Sequence, residues 1–468
     1  MGPSARRRLA RKSVIDAPVE EVFAWHERPG AIERLTPPWE PITVERAAPS
    51  LEPGSKTVFR ARIPGPLPLR WVAEHIAYDP PTEFRDVQVS GPFAWWEHRH
   101  GFAALDGSRT LVTDEVTYAL PLARVGDVGT ALVHRRVERM LAYRHRQLQG
   151  DVAAHRRARD RGGSPMHVAV TGSSGLIGSA LAAFLASGGH RVTRLVRRLP
   201  SAPDEVFWDP IGGTIDAEGL RGVDAVVTLA GAPIGSGYWT EERKRRIRDS
   251  RVSGTRLLAE TLAHMPDGPR VLVCGSAIGY YGHDRGGETL TEDAASGGGF
   301  LADLVRAWEG AADPAREAGI RVVHVRTGVV QSPRGGTLQL QLPLFWLGLG
   351  GPLGSGRQWT SWIGIDDIVG IFHHALTTPD LHGAVNGTAP IPVTNAEYTR
   401  TLGRVVRRPA LLPVPKIGPS VLLSPEGAEE TAFADQRVLP ERAEASGYAF
   451  RQRDLDSALR HVLGRTSS

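Results

Sequence analysis

The feature that most constrains this chain is a set of spaced glycines, Thr171-Gly172-Ser173-Ser174-Gly175-Leu176-Ile177-Gly178, lying just behind the apolar triplet Val168-Ala169-Val170 and ahead of a helical stretch to Ser187. A buried strand that turns at once into a helix uses each glycine differently. Gly172 permits the tight turn, Gly175 lets a bound group approach the backbone, and Gly178 lets the helix pack on the strand. The free amides at the helix start face whatever lies over the turn, and they favour an anion. Such glycines are a weak signal alone. A strand before and a helix after make them specific for the pyrophosphate of a dinucleotide.

The residues beyond this turn fit a doubly wound parallel-sheet Rossmann domain of α/β class. The strand Arg191 to Val196 ends where an NAD-dependent protein places an acid to hold the ribose hydroxyls, and this chain has Arg197-Arg198 there. Guanidinium groups suit a 2′-phosphate, which favours NADP(H); the alternative is a solvated arginine pair. Asp224 to Ala232 reads as a further strand running into a small-residue turn. Leu229, Ala230 and Gly231 are therefore expected beside the cofactor, with Gly172, Ser173, Ser174, Gly175, Leu176, Ile177 and Gly178 of the first turn.

At 468 residues the chain exceeds one ordinary core, so two or three domains are expected. The polar stretch His155 to Pro165 marks a boundary, with residues 159–165 as a linker. Before it, Val14 to Trp25 suggests a strand and then a helix, with Asp16 or Ala17 near the helix start and Pro18 in its first turn. The alternating segments Thr57 to Ile63, Leu69 to Tyr78, Phe84 to Val89, Ala94 to Ala104 and Arg109 to Leu120 have strand character. Val128 to His155 reads as a long helix with Val133, Val137, Met140, Leu141 and Leu148 on one stripe.

Other partners are argued against by composition. The formal charge of +5 is almost wholly arginine, and the short basic runs at Arg6 to Lys12, Arg156 to Arg161 and Arg243 to Arg248 are broken by acids or helical patterning. They read as solvated helix faces or linker, not as a nucleic-acid surface. No apolar run is long enough for a membrane span, and no signal-peptide core follows the basic Met1 to Arg8, so a cytoplasmic protein is expected. Cys274 is the single cysteine, which excludes an internal disulfide and a multi-cysteine zinc site. His26, His98 and His100 are too scattered along the chain to argue for a metal, and none is expected.

Residues 1–158 resemble the helix-grip fold of the SRPBCC, or polyketide-cyclase-like, superfamily. The phrases that carry this are Ala17-Pro18-Val19-Glu20-Glu21-Val22-Phe23, Gly91-Pro92-Phe93-Ala94-Trp95-Trp96-Glu97-His98 and Asp114-Glu115-Val116-Thr117-Tyr118. The resemblance implies an α+β domain with an apolar cavity and an apolar ligand. Trp25, Trp39, Trp71, Trp95 and Trp96 are either its lining or packed core. From Met166 onward the chain resembles the epimerase-like atypical short-chain dehydrogenase/reductase family. Here the phrases are Ser250-Arg251-Val252-Ser253-Gly254-Thr255, Gly279-Tyr280-Tyr281-Gly282, the glycine-rich Gly348 to Gly356, and Trp362-Ile363-Gly364-Ile365-Asp366-Asp367. This implies an NADP-binding Rossmann domain over residues 166–382 and a small substrate-side C-terminal domain over 383–468.

The family's usual chemistry needs a tyrosine whose pKa is lowered by a lysine four residues later. None of the eight tyrosines has one, and where the pair would stand the chain reads Gly299 to Glu309 without phenol or ammonium. By resemblance the catalytic groups left are Ser276, at the end of the strand Val271 to Ser276, and Tyr280 and Tyr281 in the following loop. Tyr281 is expected to face substrate, with Arg285 or Arg251 as a positive neighbour. Arg251 is also placed to reach the cofactor phosphate. Arg357, Trp359 and Trp362 are the expected substrate contacts, and Gly364 replaces an expected histidine. Two functions are consistent with these residues: an NADP(H)-dependent oxidoreductase or epimerase on a small carbonyl or sugar-like substrate, or a non-catalytic NADP(H)-binding sensor or scaffold with an apolar-ligand domain attached.

Overall fold

The computed structural model describes residues 6–61, 69–121 and 126–465. Of the segments read above, Met1 to Ala5 and the strand end Arg62-Ile63 lie outside the described residues. The chain divides into two compact units, the first running to Asp160 and including Ala183–Gly189, the second made of Arg161–Ala182 and His190–Arg465.

The first unit contains β1 (Arg7–Ile15), α1 (Val19–Glu27), α2 (Ala31–Leu35), β2 (Ile42–Arg46), β3 (Lys56–Ala61), β4 (Leu69–Asp79), β5 (Glu83–Ser90), β6 (Trp95–Asp106), β7 (Arg109–Ala119) and α3 (Gly126–Asp160). Its strands form one antiparallel sheet in the order β1-β7-β6-β5-β4-β3-β2. Period-two alternation sets the buried face: along β7, Thr110, Val112, Asp114, Val116 and Tyr118 turn inward. The stripe on α3 covers that face, with Val137 and Leu141 packed on Trp96, Val116 and Tyr118, and Leu148 on Phe23 and Phe102. This is the helix-grip arrangement. Two details depart from expectation. Pro18 is the N-cap of α1, not part of its first turn. The helix α3 takes in Arg156 to Asp160, because alanine and arginine are good helix formers and nothing breaks the pattern before Gly162 and Gly163.

The second unit opens with β8 (His167–Thr171), α4 (Leu176–Ser187, of which Ala183–Ser187 is grouped with the first unit), β9 (Arg191–Val196), β10 (Glu205–Asp209), β11 (Thr214–Ile215), β12 (Ala225–Thr228), α5 (Glu241–Ala263) and β13 (Val271–Ala277). It continues through β14 (Asp284–Leu290), α6 (Phe300–Gly310), α7 (Asp313–Glu317), β15 (Arg321–Thr327), β16 (Val329–Gln331), α8 (Gly336–Trp346), β17 (Trp359–Thr360), β18 (Trp362–Gly364), α9 (Ile365–Thr377) and β19 (Gly383–Gly387). The main sheet runs β11-β10-β9-β8-β12-β13-β15-β19 and is parallel except for β11. Its strands are continuous apolar runs, as burial on both faces requires: Val168, Ala169, Val170, Val226 and Leu272 are wholly buried. From β8 the chain first builds outward through β9 and β10, then crosses back to lay β12 on the other side. That reversal opens a crevice at the carboxyl ends of β8 and β12.

Gly383–Gly387 is the edge strand of this sheet, paired with β15 from Val323↔Gly383 to Thr327↔Gly387. The small C-terminal part therefore begins after it, later than the boundary at 383 read from the sequence. Among the described residues no helix is long and apolar enough to cross a membrane.

Candidate cofactor and active site

The two turns at the crevice are tied together by Thr171. Its buried hydroxyl donates to Thr228 Oγ1 (3.1 Å) and accepts from the backbone amides of Leu229 (3.0 Å) and Ala230 (3.2 Å). The backbones are then so close that glycine is required. A Cβ on Gly172, which has φ +66°, would lie 2.8 to 2.9 Å from the main chain of Leu229 and Ala230, and one on Gly178 would lie 2.2 Å from Gly172 O. Gly175 is different: it is exposed, and its Cβ would meet only Gly172 O at 3.2 Å. It keeps room on the outer side of the turn, where Ser174 is also exposed and Ser173, Leu176 and Ile177 are half-buried. The amides at the start of α4 are thus open to an anion.

Arg251, on α5, is buried and lies against the second turn. A Cβ on Gly231 would stand 2.8 Å from its guanidinium carbon. Its Nη1 donates to the carbonyls of Ala232 (2.9 Å) and Ile247 (3.1 Å), its Nε has no partner, and among the described residues no acid pairs with it. Burial pulls its pKa down to about 10. A buried cation offered two neutral carbonyls and, at 5.2 Å, the Trp308 ring is still costly without a counter-charge, and an anion over the Gly231 turn would relieve it. At the end of β9, Arg197 is exposed. Arg198 is already engaged, since Nη1 donates to Glu205 Oε2 (2.8 Å) and Ser201 Oγ (2.8 Å) and Nη2 to Glu205 Oε1; this holds Glu205 down to about 2.

Register puts Thr171 beside Thr228 and Thr228 beside Cys274, so Ser276 sits two residues further along β13 at the same end of the sheet. Its hydroxyl donates to Glu309 Oε1 (2.6 Å) on α6. Arg326, from β15, grips both oxygens of Glu309 at 2.9 Å and donates from Nη1 to the hydroxyl of Tyr281 (3.1 Å), which in turn donates to Asn386 Oδ1 (2.8 Å) on β19. Burial alone would raise Glu309, but the Arg326 guanidinium outweighs it and holds the carboxyl below its usual range.

This network corrects the expectation for Tyr281. Its ring is wholly buried with Ile278, Leu290 and Val438, and both hydrogen-bonding sides of its hydroxyl are taken, so it does not face substrate. Burial also raises its pKa, against the pull of Arg326. Arg285 does not serve it either: it donates to the Tyr281 carbonyl and pairs with Glu288. The half-buried phenol is Tyr280, whose ring lies 3.4 Å beneath the Arg326 guanidinium carbon and whose hydroxyl makes no hydrogen bond among the described residues.

The expected substrate contacts separate. Arg357 is exposed and Trp359 is half-buried beneath Arg437, at 4.9 Å. Trp362 is wholly buried, with Nε1 donating to Ile391 O (2.9 Å), and so belongs to the core instead. Gln452 stands beside Gly364, with Oε1 3.2 Å from the place of a Cβ. Thr171, Glu309, Arg326 and Asn386 were not read from the sequence. A usable signal existed only for Arg326, a charge inside the otherwise buried strand pattern Val322 to Val325.

In the first unit a cavity of about 340 Å³ lies between sheet and helices, and Trp71 and Trp96 line it. Trp25 is packed core, Trp39 packs edge-on against Tyr143, and Trp95 is exposed beneath Arg6.

Comparison with known proteins agrees with this organisation. Residues 168–386 match the model of the NAD dependent epimerase/dehydratase family, residues 15–141 that of polyketide cyclase / dehydrase and lipid transport, and residues 414–462 a domain of unknown function. An epimerase family protein of Mycobacterium bovis is 43% identical over 298 residues, 64% of this chain and 98% of that protein. The crystal structure of the nucleoside-diphosphate sugar epimerase from Corynebacterium glutamicum is 38% identical with a TM-score of 0.82, covering 97% of this chain and 90% of that one. The human epimerase family protein SDR39U1, solved with NADPH, is 34% identical with a TM-score of 0.58, over 64% of this chain and 99% of its own.

Proposed function

Because this chain belongs to the NAD dependent epimerase/dehydratase family, we propose that it is an NADP(H)-dependent oxidoreductase or epimerase acting on a small carbonyl or sugar-like substrate. The observation that carries this reading is the buried guanidinium of Arg251, without an acid partner, against the turn that Thr171 clamps to the glycine-rich loop. A dinucleotide there would set its pyrophosphate on the amides of Gly172 to Gly178 and its 2′-phosphate near Arg197. The NADPH of the human relative supports the same choice of cofactor.

The nicotinamide supplies or accepts hydride when bound. The chain's own groups handle the substrate oxygen. The proton of Ser276 is committed to Glu309, so its oxygen accepts from a substrate hydroxyl and fixes its orientation. Tyr280, in place of Tyr281, is the phenol that donates a proton when a carbonyl is reduced, and takes it back in the reverse direction.

Calorimetric titration with NADPH and NADH tests the cofactor: NADPH binds more tightly, and equal affinity rejects the assignment. Turnover then tests the chemistry. Tyr280→Phe lowers NADPH oxidation on a responsive carbonyl by about 10² to 10⁴ while leaving NADPH affinity unchanged. A second reading, a non-catalytic NADP(H) sensor or scaffold, is favoured by α6, which buries Leu301, Leu304, Val305 and Trp308 and brings no lysine to the site. Failure of bound NADPH to oxidise in any crude extract would select it.

A further inference from the structure

The cavity of the first unit is apolar around Leu35, Leu51, Phe59, Trp71 and Trp96, yet part of its wall is polar and buried. The antiparallel register makes it so. His75 on β4 stands opposite Asp86 on β5, Asp86 opposite His98 on β6, and His100 on β6 opposite Asp114 on β7. Because His98 and His100 are two residues apart on one strand, both point into the same face. Residues separated along the chain thereby meet, and Asp86, His98 and His100 offer ligand atoms that all lie within 4.8 Å of one another.

The cluster is only partly satisfied from within. His75 Nδ1 is buried without a hydrogen bond among the described residues, while His98 Nε2 (3.4 Å) and His100 Nδ1 (2.7 Å) both face Asp114 Oδ1 without hydrogen-bond alignment. Native interiors seldom leave buried polar atoms so poorly matched. His100 Nε2 is 3.4 Å from Asp86 Oδ2. That is long for a charge-assisted hydrogen bond, but two donors bound at about 2.0 to 2.1 Å to one tetrahedral zinc are themselves about 3.3 to 3.4 Å apart. On the other side of the ring, His100 Nδ1 is 2.7 Å from Asp114 Oδ1, the place of the carboxylate that orients a metal-bound imidazole. Asp114 is held from α3 by Arg144 Nε (3.6 Å) and His145 Nε2 (3.3 Å), both at Oδ2. With Arg144 and His145 at one oxygen and both histidines of β6 at the other, Asp114 is placed as a supporting carboxylate, which leaves Asp86 as the ligand.

We propose that Asp86, His98 and His100 form a site for a divalent metal ion of the zinc class, with Asp114 supporting His100 and the remaining coordination positions open to the cavity. Three protein ligands with an open position are the pattern of a site that takes a further donor. The ligand class that fits is an apolar molecule presenting one oxygen donor, with its body against Trp71 and Trp96.

The test uses the full-length chain without an affinity tag, dialysed against Zn²⁺ and then against metal-free buffer, with bound metal measured by elemental analysis. Retained zinc is expected, together with visible d–d absorption after exchange for Co²⁺. Asp86→Asn with His98→Gln abolishes retention, and Asp114→Asn weakens it about 10- to 100-fold, while circular dichroism and NADPH affinity hold. A second measurement needs no variant: in the Cu²⁺-loaded chain treated with ascorbate in air, dioxygen reduced at the copper oxidises the metal-bound histidines, expected at His98 and His100 by peptide mass spectrometry. No retained metal, retention undiminished in the double variant, or oxidation that spares both histidines overturns the proposal.

Discussion

Tyr281→Phe separates a structural phenol from a catalytic one. The hydroxyl donates to Asn386 Oδ1 (2.8 Å) and accepts from Arg326 Nη1 (3.1 Å), and neither Tyr281 nor Asn386 is exposed at all. Removing it leaves the Asn386 oxygen buried without its donor, at a cost of about 1 to 3 kcal/mol. Arg326 loses less, on the order of 1 kcal/mol, because both oxygens of Glu309 remain on its guanidinium at 2.9 Å. The sum, about 2 to 4 kcal/mol, corresponds to a fall in the urea midpoint of the second unit on the order of 1 M, read by circular dichroism. Turnover of the folded variant stays within a few-fold of the parent. A Tyr281→Phe protein with an unchanged midpoint and turnover reduced a hundredfold would refute this assignment and return the acid role to Tyr281.

At the nucleotide end, Arg197→Ala narrows the preference for NADPH over NADH by about 10- to 100-fold in calorimetry, since a charge-assisted phosphate contact is worth about 1.5 to 3 kcal/mol. Arg198→Ala costs less selectivity, because Arg198 is already engaged by Glu205. Arg251→Met, which removes the buried charge but keeps the bulk, weakens NADPH about tenfold or more and raises the thermal midpoint of the free protein; an unchanged affinity separates Arg251 from the cofactor. Glu309→Gln leaves Arg326 buried without its counter-charge and destabilises the protein by about 3 to 5 kcal/mol near neutrality. The folded pKa of Glu309 lies below its ordinary 4.5, so its contribution is present above that value and lost as pH falls through the folded pKa. The variant should accordingly show a shallower loss of stability below about pH 4.5, and an identical acid limb in both proteins argues against the pair.

The nucleotide turn is legible in sequence because most of what makes it is local: Gly172 is set by its own φ of +66° and Gly178 by the Gly172 backbone of the same strand-turn-helix, although the Leu229–Ala230 backbone that also crowds Gly172 comes from the second turn. Only the clamp by Thr171, which joins two turns 58 residues apart, was out of reach. The strands of the first unit were legible for a related reason, since alternation along β6 and β7 records which face is covered. That same alternation could not say which neighbours share the face. His98 and His100 look scattered from Asp86 and Asp114 until pairing register sets them side by side.

The Ser276–Glu309–Arg326–Tyr281–Asn386 chain shows the limit most clearly. Its members come from β13, α6, β15, the loop after β13, and β19, and no spacing in the sequence links them. Local backbone demands are written in neighbouring residues, because a turn or a strand face is decided over a few φ/ψ angles. Whether a phenol such as Tyr281 meets substrate or a buried asparagine is decided by which distant strands pack against it. The sequence alone determined the nucleotide fold, the likeness to NADP(H) proteins and the absence of a Tyr-x-x-x-Lys pair. Tertiary packing decided that Tyr281 is enclosed while Tyr280 stays half-buried with its hydroxyl unengaged among the described residues, and it brought two carboxylates to the histidines of the first cavity.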